Sequence, residues 1–177
     1  EKVTKPGIAS VVAVLLSFMA SQWAVAETKW TLQDDEEGMQ VFTGDVSDSP
    51  FDAVRVIASI NAPVEKVVGV LGDGSECAEW RGMCESSQVL EVLSERERLV
   101  HMVLDLPWPI SNRDAVVRSV TEIDLATRSA IISVTPASDA LPEQEHIRAV
   151  TNAEFQLRVV NENTVELTYT VHADLGG

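Results

Sequence analysis

Two cysteines are the residues of this 177-residue sequence whose type and spacing most directly suggest chemistry. Cys77 and Cys84 bracket the run AEWRGM, so they could form a disulfide or remain two separate buried thiols. A zinc site needs about four ligands. His101, His146 and His172 have no ligand spacing relative to the cysteines or to one another. The pattern favours a disulfide, and no metal is expected.

Arg113 and Asp114 are adjacent charges directly after the run PWPISN. In one interpretation both lie at the mouth of a cavity and contact the head of a ligand. In the other they form a structural ion pair that fixes the turn after Trp108. Neighbouring residues of an extended strand point to opposite faces, so both cannot face one cavity, and the structural role is preferred.

The sequence carries none of the short motifs that mark common catalytic sites. It has no G-x-S-x-G elbow, no H-E-x-x-H motif and no P-loop. Gly72 and Gly74 are too short a glycine pattern for a nucleotide site and are expected to end a helix. No catalytic residue and no cofactor is therefore predicted.

The composition is that of one globular domain with an acidic surface. Apolar residues make up 45% of the chain, and 28 acidic against 13 basic side chains give a net charge of −15. This charge repels the phosphates of nucleic acids and provides no attraction to anionic lipid headgroups. Nucleic acid is therefore excluded as a partner, and a monomer is expected.

The first 26 residues resemble a secretory signal peptide. Lys2 and Lys5 precede an apolar run over residues 8–19, and Ala24-Val25-Ala26 supplies the small residues of a cleavage site. A membrane anchor is the alternative, because the whole stretch approaches spanning length, but serines and a glutamine dilute its apolarity. The sequence predicts a mature domain over residues 27–177 in the periplasm of a Gram-negative bacterium or outside the cell.

Apolar periodicity predicts one helix followed by many antiparallel strands, which is typical of an α+β meander. Pro63 suits the first turn of a helix whose apolar face recurs through Leu71. An acidic turn is expected over residues 34–37. The strands are expected at residues 39–43, 53–60, 87–93, 98–106, 115–123, 130–135, 147–160 and 164–173.

The run LPWPISNRDAVV lies between two of these strands and contains Pro107 and Pro109 on either side of Trp108. The prolines end one strand and stiffen the bend into the next, so we expect the Trp108 ring to be buried and to serve the fold. The run PWPISNRD resembles the signature of the START family, the lipid-transfer domains related to the steroidogenic acute regulatory protein. Weaker matches follow in the family's order: Trp30, Trp80 between the cysteines, Ile147-Arg148-Ala149 and Asp174-Leu175-Gly176-Gly177.

The resemblance implies a helix-grip fold, also called Bet v 1-like, in which a curved antiparallel sheet surrounds a long C-terminal helix and an apolar cavity. In such sequences the last strand runs into a D-P-G-G-like turn before that helix. Here Leu175 replaces the proline, and the gripping helix is expected beyond Gly177. The chain is therefore interpreted as a C-terminally truncated START-like domain.

Alternation along two strands predicts the wall of the cavity. The faces opposite His101 and Arg118 are apolar or hydroxyl-bearing. Sterol-binding members of the family place an acid and an arginine inside, and Val100 and Ser119 stand at those positions here, which argues against a sterol. The predicted lining residues are Val100, Met102, Leu104, Leu106, Val117, Ser119 and Thr121, and the structural motif comprises Pro107, Trp108, Pro109, Arg113 and Asp114.

The resemblance implies that the protein binds, and transfers, a small hydrophobic ligand or lipid, with transient membrane contact and no cofactor. An enzyme on the same scaffold, such as a cyclase or hydrolase acting on an apolar substrate, is the alternative. Two or more ionisable groups converging inside the cavity would favour the enzyme. A protein-interaction module using the outer face of the sheet is a third hypothesis, against which the polar outer faces argue.

If residues 1–26 are a signal peptide, cleavage is expected after Ala26, because the small residues at positions 24 and 26 fit the signal-peptidase pattern. N-terminal sequencing of the mature protein from the periplasm or medium is expected to begin at Glu27. Recovery of the uncleaved chain in the membrane fraction would instead identify the segment as an anchor.

Overall fold

The computed structural model of the chain describes residues 28–176, so the predicted signal peptide lies outside the described residues. Strands make up most of the described chain. They are β1 Trp30–Glu36, β2 Met39–Gly44, β3 Ala53–Ile60, β4 Cys84–Ser94, β5 Glu97–Leu104, β6 Arg113–Asp124, β7 Ser129–Pro136, β8 Ile147–Arg148, β9 Val150–Asn161 and β10 Thr164–Asp174. The helices are α1 Val64–Asp73, α2 Cys77–Trp80 and a 3-10 turn at Ser138–Ala140.

All the strands belong to one sheet in the order β1-β2-β3-β10-β9-β7-β6-β5-β4, with antiparallel neighbours. The short strand β8 pairs with β6 in parallel. The register aligns the inner-face residues across strands, so that Phe155 of β9 lies between Ile132 of β7 and Tyr169 of β10. The predicted α+β meander of antiparallel strands is therefore confirmed.

Helix α1 forms where the apolar spacing predicts it. Pro63 is its extended N-cap, and Gly74 ends it in the left-handed region at φ +74°. A Cβ at Gly74 would lie 2.8 Å from a methyl group of Val100, so both the backbone angle and the close approach require glycine. The buried face of α1, with Val67 at its centre, packs on Leu157 and other inner-face residues and covers one end of the sheet.

Two local expectations differ from the structure. The acidic residues Asp34, Asp35 and Glu36 continue β1 instead of turning, and the turn is confined to Glu37 and Gly38. Strand β1 is an edge strand whose side chains are mostly exposed, so its carboxylates stay hydrated while the backbone pairs with β2. Helix α2 was not predicted, because four residues are too few to show a helical period. Among residues 28–176, no helix follows β10.

The expected burial of Trp108 is wrong. Its side chain is 92% exposed, in the turn that connects β5 to β6. The amide of Ile110 donates to the carbonyl of Pro107 at 3.1 Å, which closes the turn. Strand β5 ends before the turn and β6 begins after it, so Trp108 lies in neither strand and its indole ring is left in solvent. The prolines shape the loop as predicted, but they present Trp108 to solvent.

Arg113 and Asp114 are both buried, but they do not pair with each other. The Nε group of Arg113 donates to the carbonyl of Leu175 at 2.6 Å, which ties the turn after Trp108 to the end of β10. Asp114 lies on the opposite face of β6, completely buried, and accepts two hydrogen bonds of 2.9 Å from Arg148. Each residue therefore has its own structural partner, as the alternation of the strand requires.

The Asp114 carboxylate also contacts Nε2 of His101 at 3.0 Å. Burial raises the pKa of Asp114, but the hydrogen bonds and charges of Arg148 and His101 outweigh burial and hold that pKa below its usual value of 3.8. A carboxyl group whose pKa is lower in the folded state stabilises the fold above its unfolded pKa. That contribution is lost as the pH falls through the folded pKa.

Replacing the buried acid by Asp114→Asn is expected to lower the free energy of unfolding by about 3–5 kcal/mol, because Arg148 loses its counter-charge in a buried position. Urea unfolding measures this change at neutral pH. The difference between wild type and variant is expected to shrink as the pH falls below 3.8, where the unfolded wild-type chain binds a proton at this carboxyl, and to be lost below the lower pKa of the folded state.

The matched control is Glu97→Gln, which removes an acid paired with the partly exposed Arg118. A change of less than about 1 kcal/mol is expected there. Equal effects of the two substitutions would contradict a special role for the Asp114 pair.

Candidate functional site

A cavity lies between the inner face of the sheet and the segment that contains α1 and α2. Its larger part, of about 360 Å³, is bounded by α1 and by strands β3, β9 and β10. A smaller inner part, of about 50 Å³, extends over β5, β6 and β7. The two parts share Leu71, Trp80, Arg81 and Phe155, so α2 and its C-cap stand at the boundary between them.

Four of the seven predicted lining residues border the inner cavity. These are Val100 and Met102 of β5 and Val117 and Ser119 of β6. The alternation read from the sequence places them on one face, and the β5–β6 register brings Val100 opposite Val117. The structure brings them together, and ligand contact at these side chains remains a prediction.

The other three predicted residues lie elsewhere. Leu104 and Leu106 pack in the apolar cluster that contains the two cysteines, and they line neither part of the cavity. Thr121 lines a separate groove beyond α1, because the C-terminal turn of that helix lies over it. A Cβ at Gly72 would lie 3.4 Å from the hydroxyl of Thr121. The cavity is therefore shorter along β5 and β6 than alternation alone predicts.

Three aromatic residues of the wall were not identified from the sequence. The rings of Phe155 and Tyr169 stack with centroids 4.4 Å apart, and Trp80 meets Phe155 edge-on at 6.4 Å. The predicted hairpin of β9 and β10 is the sequence feature from which the neighbouring positions of Phe155 and Tyr169 could be inferred. A register shift between Thr164 and Val165 moves every later pairing by one residue, so counting outward from the turn does not predict it.

Arg81 is the second feature that the sequence did not reveal. Its Nη2 group donates to the hydroxyl of Tyr169 at 3.2 Å, and Nη1 lies 3.8 Å from the sulfur of Met102. Met102 belongs to β5 and Tyr169 to β10, with β6, β7 and β9 between them in the sheet. One guanidinium can reach both only because the sheet curves, so Arg81 spans its concave face.

The electrostatic setting of this arginine is unusual for an acidic protein. No carboxylate lies within 4.0 Å of Arg81 among residues 28–176. Burial raises the pKa of Tyr169, and the charge of Arg81 offsets only part of that rise. Tyr169 is therefore a protonated hydroxyl at neutral pH that can donate a hydrogen bond.

A disulfide joins Cys77 to Cys84, with the Cα atoms 6.0 Å apart. It connects the first residue of α2 to the first residue of β4, and both cysteines are buried. The loop that it closes carries Trp80 and Arg81, so the bond restrains both side chains at the cavity wall. A cross-link of this kind is typical of proteins in oxidising compartments.

Within the described part of the chain, no group of three or more metal-ligating side chains is arranged to hold an ion. The same residues include no helix that is both long and apolar enough to cross a membrane.

The START domain model matches residues 16–177. A STAR-related lipid transfer protein from Xanthomonas axonopodis has a crystal structure that superposes with a TM-score of 0.75 at 29% identity, covering 84% of this chain and 83% of that chain. Human STARD10 superposes with a TM-score of 0.72 at 18% identity, covering 84% and 62%. An uncharacterized Pseudomonas aeruginosa protein is 27% identical over 156 residues, covering 87% of this chain and 76% of its own length.

The likeness to the Xanthomonas and human structures confirms the predicted helix-grip fold.

Proposed function

Because the chain belongs to the START domain family, we propose that it binds a lipid-like hydrophobic molecule in its internal cavity. The observation that carries this proposal is the chamber of about 360 Å³, whose wall is formed mainly by aliphatic and aromatic side chains. A ligand that buries roughly 400 Å² of apolar area there gains about 10 kcal/mol before the costs of association, so enclosure alone can hold it.

Binding is preferred to catalysis because of the kinds of group that line the cavity. Arg81 and Tyr169 converge there, which is the observation that favours an enzyme. The lining residues of both parts of the cavity, within the described chain, include no carboxylate and no imidazole. A guanidinium and a protonated phenol can polarise or orient a ligand, but neither accepts a proton readily at neutral pH. They therefore suit recognition.

We extend the proposal to transfer of the ligand between membranes by a monomer in the periplasm or outside the cell. The Xanthomonas protein is described as a lipid transfer protein, which supports this extension. The disulfide between Cys77 and Cys84 fits an oxidising compartment. No cofactor is required, because loading and release change only what surrounds the ligand.

We propose that an apolar patch of Met83, Trp108 and Ile110 makes the membrane contact. All three side chains are exposed, and the amide of Asp105 donates to the carbonyl of Met83 at 3.0 Å, which holds the two loops together. A Trp ring suits the boundary between headgroups and acyl chains. Because the protein is acidic overall, zwitterionic lipid is the favoured surface.

Filling the larger cavity tests the binding proposal. Leu167 lines that chamber, and Leu167→Trp is expected to abolish co-purification of lipid while leaving a cooperative thermal transition, because the ring enters space that the ligand would occupy. Mass spectrometry of organic extracts of the purified protein makes the measurement. Leu125→Trp is the matched control, at a side chain that is 82% exposed in the turn after β6. Wild-type protein without lipid, or equal lipid in both variants, would contradict the proposal.

The membrane patch is tested by Trp108→Ala. Binding to phosphatidylcholine vesicles, measured by co-sedimentation, is expected to weaken about tenfold because a large apolar group no longer enters the bilayer boundary. The unfolding midpoint is expected to change little, since the ring is 92% exposed. Leu125→Ala, at the opposite end of β6, is the control and should leave vesicle binding unchanged. A destabilised protein with unaltered vesicle binding would return Trp108 to a structural role.

A further inference from the structure

The inner cavity contains a cation whose charge no side chain of the described residues balances. Arg81 contacts a neutral hydroxyl and a thioether, although the whole sequence carries 28 acidic side chains. A guanidinium has five N–H donors, and these two contacts leave most of them free. Since a partly buried charge without a counter-ion is unfavourable, Arg81 is a ready partner for an anion that enters the cavity.

A second, independent observation concerns a side chain on the sheet side of the same cavity, which is called its floor below. The side chain of Thr151 on β9 is only 4% exposed and lines the inner part. Its Oγ1 atom is the one buried side-chain nitrogen or oxygen without a hydrogen-bond partner among residues 28–176. Leaving a buried hydroxyl without a hydrogen bond costs about 1–3 kcal/mol of stability in an apolar setting. The unpaired Thr151 hydroxyl therefore points to a polar group supplied by a ligand.

The remaining donor is the hydroxyl of Tyr169. Its oxygen accepts a hydrogen bond from Arg81, so its own hydrogen remains available. Arg81 spans the concave face above the floor, and Thr151 belongs to that floor. Arg81 and Thr151 both line the small inner chamber, and Tyr169 lines the larger apolar chamber next to it, where Arg81 borders both.

We propose that the ligand is an apolar-chain carboxylic acid, whose carboxylate lies in the inner cavity between Arg81 and Thr151 and whose chain fills the larger chamber. This inference rests on the proposed binding function and adds the chemical class of the ligand. The carboxylate accepts charge-assisted hydrogen bonds from Arg81 and further bonds from Thr151 and Tyr169.

The size of the inner chamber selects a carboxylate over larger acidic heads. A chamber of about 50 Å³ accommodates only a few heavy atoms, whereas a phosphate ester with its substituents needs more space. Lys66 is the other cation that lines the cavity, but it is exposed on α1 at the outer chamber. It therefore offers a weaker alternative anchor for the head.

The test uses the full-length protein and three probes with the same chain: palmitic acid, 1-hexadecanol and hexadecyl phosphate. Affinities at neutral pH come from displacement of cis-parinaric acid, a fluorescent fatty acid. Wild type is expected to bind palmitate more than tenfold tighter than hexadecanol. Arg81→Gln is expected to weaken palmitate binding about 10- to 100-fold while leaving hexadecanol within about twofold.

Thr151→Val is nearly isosteric, and it is expected to weaken palmitate binding about fivefold with hexadecanol again unchanged. It also keeps the proposal testable should Arg81→Gln fail to fold, which circular dichroism checks. Lys66→Gln tests the alternative anchor at the outer chamber. Arg158→Gln is the matched control, since it removes an exposed positive charge that lines neither part of the cavity, and it should leave the preference for the acid intact.

The outcomes separate this inference from the proposed function. Equal binding of palmitate and hexadecanol by wild type would overturn the carboxylate site while the binding function stands. Failure of every probe to bind would count against both. A preference for hexadecyl phosphate, or loss of the acid preference in Lys66→Gln but not in Arg81→Gln, would show that the head lies elsewhere.

Discussion

The ion pair between Asp114 and Arg148 is the interaction on which the cavity depends. It connects β6 to β8, and the guanidinium of Arg148 also donates to the carbonyls of Ser138 and Leu141 in the segment after β7. All of these contacts lie on the face of β6 opposite the cavity. This hydrogen bonding fixes β6 from the side opposite the cavity, while Ala115 and Val117 on its inner side pack in the apolar cluster around the disulfide.

The cavity is a compromise between packing and access. Protein interiors are close-packed, and each void forfeits dispersion contacts. Here the void borders two apolar clusters, one under α1 around Leu157 and one around the disulfide. The cross-link adds about 2–3 kcal/mol, mainly by restricting the unfolded chain, so it stabilises the region without filling it. A binding chamber is therefore framed by elements whose stability does not depend on its being occupied.

Local pattern was sufficient to predict most of the strands, α1 and much of the inner faces of β5 and β6, because alternation and helical spacing report which side of one element is buried. Local pattern failed to predict contacts that depend on the relative positions of two elements. The role of Arg81 follows from the curvature that brings β5 and β10 within reach of one side chain, and the Phe155–Tyr169 stack follows from a register shift. Trp108 shows the reverse error: stiff flanking prolines indicate a fixed loop, but not whether its tip faces the core or solvent.

The position of β10 between β3 and β9 has a consequence for how the chain acquires its fold. Ile60, made early, pairs with Val165, made near the end of the domain, so the sheet remains two separate halves until β10 is available. Until then β3 and β9 each present an open edge on which foreign strands could pair. Sheets built from such distant pairings also fold slowly. A chain with this topology therefore exposes the edges of β3 and β9 until the last part of the domain has been made, and it depends on protection of those edges until then.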